Sequence, residues 1–325
     1  MQIKHAILHI LENGREPVFS NEELDIDSEI CHEFISRHVR RLISSPAAKK
    51  ATFSAESEVY GFVGSYKRGE CFFGEFSRLL CAKLALIMEN SEIPSGDILV
   101  VAFEQSGLDY LAMLKLNYLE CFTHSISDGE NHLVKNANVL PFTHGKVEEA
   151  CLIPFDPMIL QILEKPCVVG DEEQMYFSTL FLECETELSK KETAEILNQV
   201  LEEVTAKHFE DDVEAVAKIK YALIEEAESS AEDAFMLVGA AGRAFADKPS
   251  VKDEFLSLAY EAGLPHEVKL PAAYARKQFN VQRFKAGNGV EVKIPAELFE
   301  DPDAVQFMTN ADGTVSITLK NLQLS

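Results

Sequence analysis

His5 and His9 stand four apart in the opening run MQIKHAILHILENG, a spacing that on a helix would set two imidazoles on one face like paired metal ligands. A hydrolytic zinc motif also needs a glutamate directly after the first histidine, and Ala6 occupies that place. Gly239-Ala240-Ala241-Gly242-Arg243 has the GxxG spacing with which some modules clamp a nucleic-acid backbone. It falls inside a helical pattern, however, where small residues serve close packing. The chain contains no GxGxxG, P-loop, GxSxG or HExxH sequence. No nucleophile, base and stabiliser stand at workable spacing, so no catalytic residue, metal ligand or cofactor is nominated and the chain reads as non-enzymatic.

The remaining chemistry is phosphate contact by the few cations. Arg37, Arg40 and Arg41 lie at i, i+3 and i+4 on the polar stripe of a helix, and Lys49 and Lys50 follow soon after. Glu33 is placed to pair with Arg37. A second group, Arg276, Lys277, Arg283 and Lys285, is expected to enter the first C-terminal strand, where Arg283 and Lys285, two apart, share a face. These nine residues are the candidate nucleic-acid contacts.

Charge limits what they could do. The net charge is −24, and it is uneven: 14 Lys/Arg against 22 Asp/Glu in residues 1–150, 10 against 26 in 151–270, and 6 against 6 in 271–325. The acidic middle repels phosphate backbones and anionic membranes, so nucleic acid must be met through the flanks or through a protein partner. Screening over about 8 Å at physiological salt lets a local basic patch act if the acidic block is distant. Glu202, Glu203, Glu225, Glu226 and Glu228 are the acids that a basic partner would meet.

These residues need elements to hold them. Apolar positions at three and four from Ser28 to Ile43, capped by Asp27 or Ser28, predict an amphipathic helix under the arginines, and Phe72 to Ile87 predicts a second. Residues 97–104 and 108–118 around Gln105-Ser106-Gly107 predict a hairpin. Residues 132–142 and 149–155 are expected to extend the same antiparallel pattern, with turns at Asp128-Gly129 and His144-Gly145.

From about Leu188 four helices are expected, opened by Ser189 to Glu192, Asp211-Asp212, Ser230 to Asp233 and Ser250 to Asp253. The last stretch predicts two strand pairs around the turns 286–289 and 310–313. The expected class is α+β, with an N-terminal α+β domain at 1–187, an acidic helical region at 188–265 and a C-terminal β segment at 266–325. Seven scattered cysteines without a CxxC pair read as thiols in a reducing compartment. No signal peptide and no run of ~20 apolar residues is evident, so a cytoplasmic protein without membrane contact is expected.

Four stretches carry a resemblance: IKHAILHIL; TFSAESEVYGFVGSY (52–66); DILVVAFEQSGLDYLAMLKLNY; and FKAGNGVEVKIPAELFEDPDAVQFMTNADGTVSITLKNL (284–322). With the order of an α+β half, an acidic helical middle and a β ending, the chain resembles the nucleoid-associated 37-kDa protein family, also called NdpA or YejK. The resemblance implies a place in the bacterial nucleoid, with DNA and DNA topoisomerases as partners, and no enzymatic activity or cofactor. The acidity of the middle keeps a second reading open, an interaction module that binds a basic partner such as a topoisomerase without touching DNA.

Overall fold

The run ILVVAF at residues 98–103 shows no alternation of apolar and polar side chains, which is the pattern of a strand covered on both faces. The computed structural model bears this out. It describes residues 1–127, 129–209, 212–230, 233–285, 289, 291–301, 303–310 and 315–321, and it divides into two compact units, Met1–Ser189 and Lys190–Ser325. The class is α+β, and every strand pair in it is antiparallel.

The first unit runs β1 (Gln2–Leu11), α1 (Glu29–Ser44), β2 (Lys49–Phe53), α2 (Glu58–Lys67), α3 (Phe73–Met88), β3 (Gly96–Gln105), β4 (Leu108–Asn117), β5 (Leu119–Ser127) and β6 (Glu130–Val139). It continues with β7 (Glu149–Pro154), β8 (Leu160–Leu163), β9 (Cys167–Val169), β10 (Glu172–Gln174), a π-helical turn at Phe177–Leu182 and β11 (Cys184–Thr186). Seven strands form one sheet in the order β1-β3-β4-β7-β8-β2-β11. Helix α1 covers one face, burying Ile35, Val39 and Leu42 against Leu99, Val101, Phe103 and Leu114. Helices α2 and α3 cover the other, where Val59, Phe76, Leu80 and Leu84 meet Ile98, Val100 and Met113. Successive residues of β3 thus enter opposite cores, which explains the unbroken apolar run.

The β3–β4 hairpin turns at Ser106 and Gly107, both at positive φ (56° and 79°), as a tight hairpin requires. Strands β5 and β6 depart from expectation. They do not extend the sheet; they pair only with each other, as a two-stranded arm whose residues are almost all exposed. The sheet passes from β4 directly to β7 instead.

The second unit comprises α4 (Lys190–His208), α5 (Val213–Ser229), β12 (Ala234–Met236), α6 (Leu237–Ala244), α7 (Pro249–Glu261), β13 (Glu267–Lys269), α8 (Ala272–Phe279), β14 (Val281–Lys285), β15 (Glu291–Pro295), a 3-10 turn at Ala296–Glu300, β16 (Val305–Thr309) and β17 (Val315–Leu319). Asp212 caps α5 by accepting from the Ala215 N–H at 3.0 Å. The helix expected from Ser230 starts later, because residues 234–236 pair with β13 before α6 begins. Pro249, pre-set for a first helical position, rather than Ser250 opens α7. Ala194, Leu197, Leu201, Leu223, Ile224, Phe255 and Phe279 form the core of this unit. The pairs β14–β15 and β16–β17 form as predicted, and Ile294, Phe299 and Val305 pack on Ala217 of α5. The turn residues 286–288 and 311–313 and the cap residue Asp211 lie outside the described residues.

By compact unit the charge redistributes. Residues 1–189 hold 30 Asp/Glu against 15 Lys/Arg, and residues 190–325 hold 24 against 15. The acidic stretch of the sequence therefore straddles both units.

Candidate nucleic-acid interface

Helix α1 begins at Ser28, whose backbone is extended and whose side chain makes no capping bond, with Glu29 in the first turn and Arg41 in the last, both favourable to the helix dipole. Its apolar stripe is pinned to the sheet, so its outer face presents Glu33, Arg37, Arg40 and Arg41 to solvent. Arg37 pairs with Glu33 at 2.7 Å, and Arg41 reaches the Thr143 carbonyl at 3.5 Å. Arg40 has no acidic partner among the described residues. An open groove of about 610 Å³ runs beside the helix, lined in part by Asp27, Glu33, Arg37 and Arg40. An incoming phosphate there meets carboxylates as well as guanidinia. The charge available to it is greatest toward Arg40 and Arg41.

The neighbouring lysines point opposite ways, because successive residues of a strand do. Lys49 turns inward: its side chain is only 13% exposed and its ammonium lies 3.2 Å from Glu164, which is 1% exposed. Glu164 also accepts from the Ser178 N–H at 3.1 Å. Lys49 is thus held inside the fold, whereas Lys50 is exposed.

In the second unit Arg276 and Lys277 do not enter a strand. Pro271 and the alanines of AAYARKQF favour a helix, and both residues fall in the last turn of α8. The Arg276 guanidinium forks between Glu228 and Glu297, with its Nη1 2.8 Å from Glu297. Lys277 is exposed. Arg283 and Lys285 lie on β14, paired in register with Lys293 and Glu291. The candidates accordingly belong to two separate units, α1 and β2 in one and α8 and β14 in the other.

The GxxG sequence serves packing. A Cβ on Gly239 would collide with the Glu226 carboxylate, which lies against α6 at that point and accepts from Arg243 Nε at 3.1 Å. Glu226 and Glu228 are therefore engaged in ion pairs, while Glu202, Glu203 and Glu225 remain on the exposed surface.

His5 and His9 sit on β1, not on a helix, and they separate chemically. His5 stacks on Phe73 with ring centroids 5.2 Å apart and meets Glu23 at 2.9 Å. His9 is buried: its Nδ1 accepts from the Ser20 N–H at 3.1 Å and its Nε2 lies 2.9 Å from Ser77 Oγ, which itself donates to the Gly74 carbonyl. This fixes a neutral imidazole carrying its proton on Nε2, since a proton on Nδ1 would face another N–H. Burial, aided by the Arg78 cation, pushes its pKa down to about 4.

The unfolded chain therefore binds a proton near pH 6.5 that the folded chain refuses until about 4. His9 contributes stability fully above pH 6.5, and that contribution is lost as pH falls toward 4. Urea unfolding at pH 7.5 and pH 5 should show the wild type losing about 2 kcal/mol more than a His9→Gln variant. Equal losses in the two proteins would refute the assignment. Among the described residues no three His, Cys, Asp or Glu side chains are grouped to hold a metal ion.

Sequence reasoning missed a polar assembly within the sheet. Lys115 on β4 is buried, donates to the Pro94 carbonyl at 2.7 Å and bonds Asn117, whose amide donates to buried Glu149 at 2.9 Å. Burial lowers the Lys115 pKa to about 8 and raises that of the buried Tyr176 hydroxyl. The single lysine in LAMLKL, a run otherwise buried on both faces, was the available signal.

Comparison with known proteins supports the family resemblance. A nucleoid-associated protein of Pseudomonas aeruginosa (strain UCBPP-PA14) is 29% identical over 127 residues, which is 37% of this chain and 38% of that protein. One from Pseudomonas paraeruginosa is 28% identical over 127 residues, and one from Azotobacter vinelandii is 32% identical over 133, or 39% of its length. The chain thus spans under two fifths of the length of these curated relatives. The family described as nucleoid-associated protein YejK matches residues 7–325, nearly the whole chain. The chain belongs to that family of nucleoid-associated proteins.

Proposed function

We propose that the protein works in the bacterial nucleoid, within the cytoplasm, as a non-enzymatic DNA-associated protein that contacts phosphates through the outer face of α1. The observation that carries this reading is Arg37, Arg40 and Arg41 side by side on a helix face turned to solvent in a chain otherwise short of cations. Such contacts hold a duplex without reading its bases. The chain has no helix long and apolar enough to cross a membrane among its described residues. DNA binding by the purified protein, titrated on unrelated duplexes over a salt series, tests the proposal. Affinity should be similar across sequences and fall steeply with salt, and a sequence-selective or salt-indifferent interaction would reject it.

A second reading rests on the exposed Glu202, Glu203 and Glu225 of α4 and α5. These acids suit a basic surface on a DNA-handling enzyme such as a topoisomerase, which would bring the protein to DNA indirectly. Adding topoisomerase to the same titration separates the routes: under this reading the protein is retained on DNA only when the enzyme is present.

A further inference from the structure

We propose that the β5–β6 arm is a dimerisation element whose apolar face stacks on the same face of a second copy of the chain. The register pairs Phe122 with Lys135, His124 with Leu133 and Ile126 with Asn131, so these six side chains share one face. Phe122, Leu133 and Ile126 are 68%, 81% and 71% exposed. A two-stranded hairpin standing alone is marginal in water, and three large apolar groups on one face of it call for cover.

Charge selects the occupant. The charges on this face among the described residues, Glu120 and Lys135, neutralise each other at 2.7 Å. Among its described residues the face therefore gives a phosphate backbone no free cation and a basic protein no free acid, and nothing that repels its own twin. Symmetry suits a twin as well. A two-fold axis lying in the plane of the face and crossing the arm at His124 and Leu133 puts Phe122 of each copy over Ile126 of the other, and Leu133 over Leu133.

Size sets the strength. An arm ~30 Å long and ~10 Å wide buries on the order of 500 Å² per copy, which just clears the ~1,000 Å² total expected of a specific interface. The dimer should be micromolar. Outside the arm the first unit is acidic, so two copies repel one another at long range and salt should strengthen the dimer. Salt acts in the opposite direction on phosphate contacts.

Sedimentation equilibrium of the full chain across the micromolar range, at low and physiological salt, tests the proposal. The expected result is a monomer–dimer equilibrium that tightens with salt. The exposed substitutions Phe122→Asp, Ile126→Asp and Leu133→Asp, combined, should raise its Kd about a hundredfold. Hydrogen exchange on the wild type supplies a readout independent of any variant: amides of residues 119–139 should become protected as concentration rises. A wild type that stays monomeric, a triple variant with unchanged Kd, or arm amides that ignore concentration and slow only when duplex DNA is added would overturn it.

Discussion

Reversing Arg37, Arg40 and Arg41 to Glu abolishes DNA binding in low salt if α1 is the contact, and leaves the fold intact. The three changes move the local charge by six units and leave Glu33 beside three further carboxylates where it now pairs with Arg37. Each lost phosphate contact removes about 0.9 from the magnitude of the log–log salt slope, so the triple variant should lose about 2.7 of it. Stability should change little, because the exposed Arg37–Glu33 pair is worth only about 0.3–0.5 kcal/mol. Fluorescence anisotropy on a labelled duplex, with circular dichroism as the folding control, provides the check. Wild-type affinity in a folded triple variant would reject the α1 patch and favour the acidic surface. Glutamine at Glu202, Glu203 and Glu225 should then weaken partner capture.

Lys49→Met should destabilise the first unit by about 3 kcal/mol without altering DNA affinity at temperatures where the protein stays folded. The loss comes from stranding the Glu164 carboxylate, which keeps the Ser178 N–H but no longer has the ammonium at 3.2 Å. Adding Glu164→Gln should recover most of the stability, since a neutral amide oxygen still accepts from Ser178 and no buried charge is left over. Urea unfolding of the single and double variants measures both effects. A drop in DNA affinity with unchanged stability would return Lys49 to the list of phosphate contacts.

Lys49 and Lys50 show what could be read from the sequence and what could not. Both stood out as cations, yet KKATF is too short to reveal which of two adjacent strand residues turns inward. That depends on Glu164, more than a hundred positions away. Helices α1 and α3 and the β3–β4 hairpin were legible because their signals are local: apolar spacing of three and four, and a serine–glycine pair that accepts positive φ.

Helix α2 was not legible, since EVYGFVGSYK mixes aromatic, β-branched and glycine residues. It is held by Ser57, which accepts from the Tyr60 N–H, and by the carboxylate of Glu183, which accepts from the Glu58 N–H at 2.8 Å. The arm was half seen, as β6 alone, because LECFTHSIS is too polar to announce a strand. Arg276 and Lys277 were placed on the wrong element for the converse reason, as the nearby β14 signal extended past a helix that Pro271 had already started.

The strand order has a consequence for how the protein is made. Strand β2 lies between β8 and β11, and both of its neighbours are translated more than a hundred residues after it. While the ribosome adds those residues, at ~5–20 per second, β2 waits roughly five to twenty seconds with no strand to pair with. The nascent sheet can meanwhile assemble from β1, β3, β4 and β7, whose outer edge at β7 stays open until β8 emerges. An open edge on a half-built sheet is a template for other chains. The far side of the sheet therefore closes only when β8, and after it β11, captures a strand made more than a hundred residues earlier.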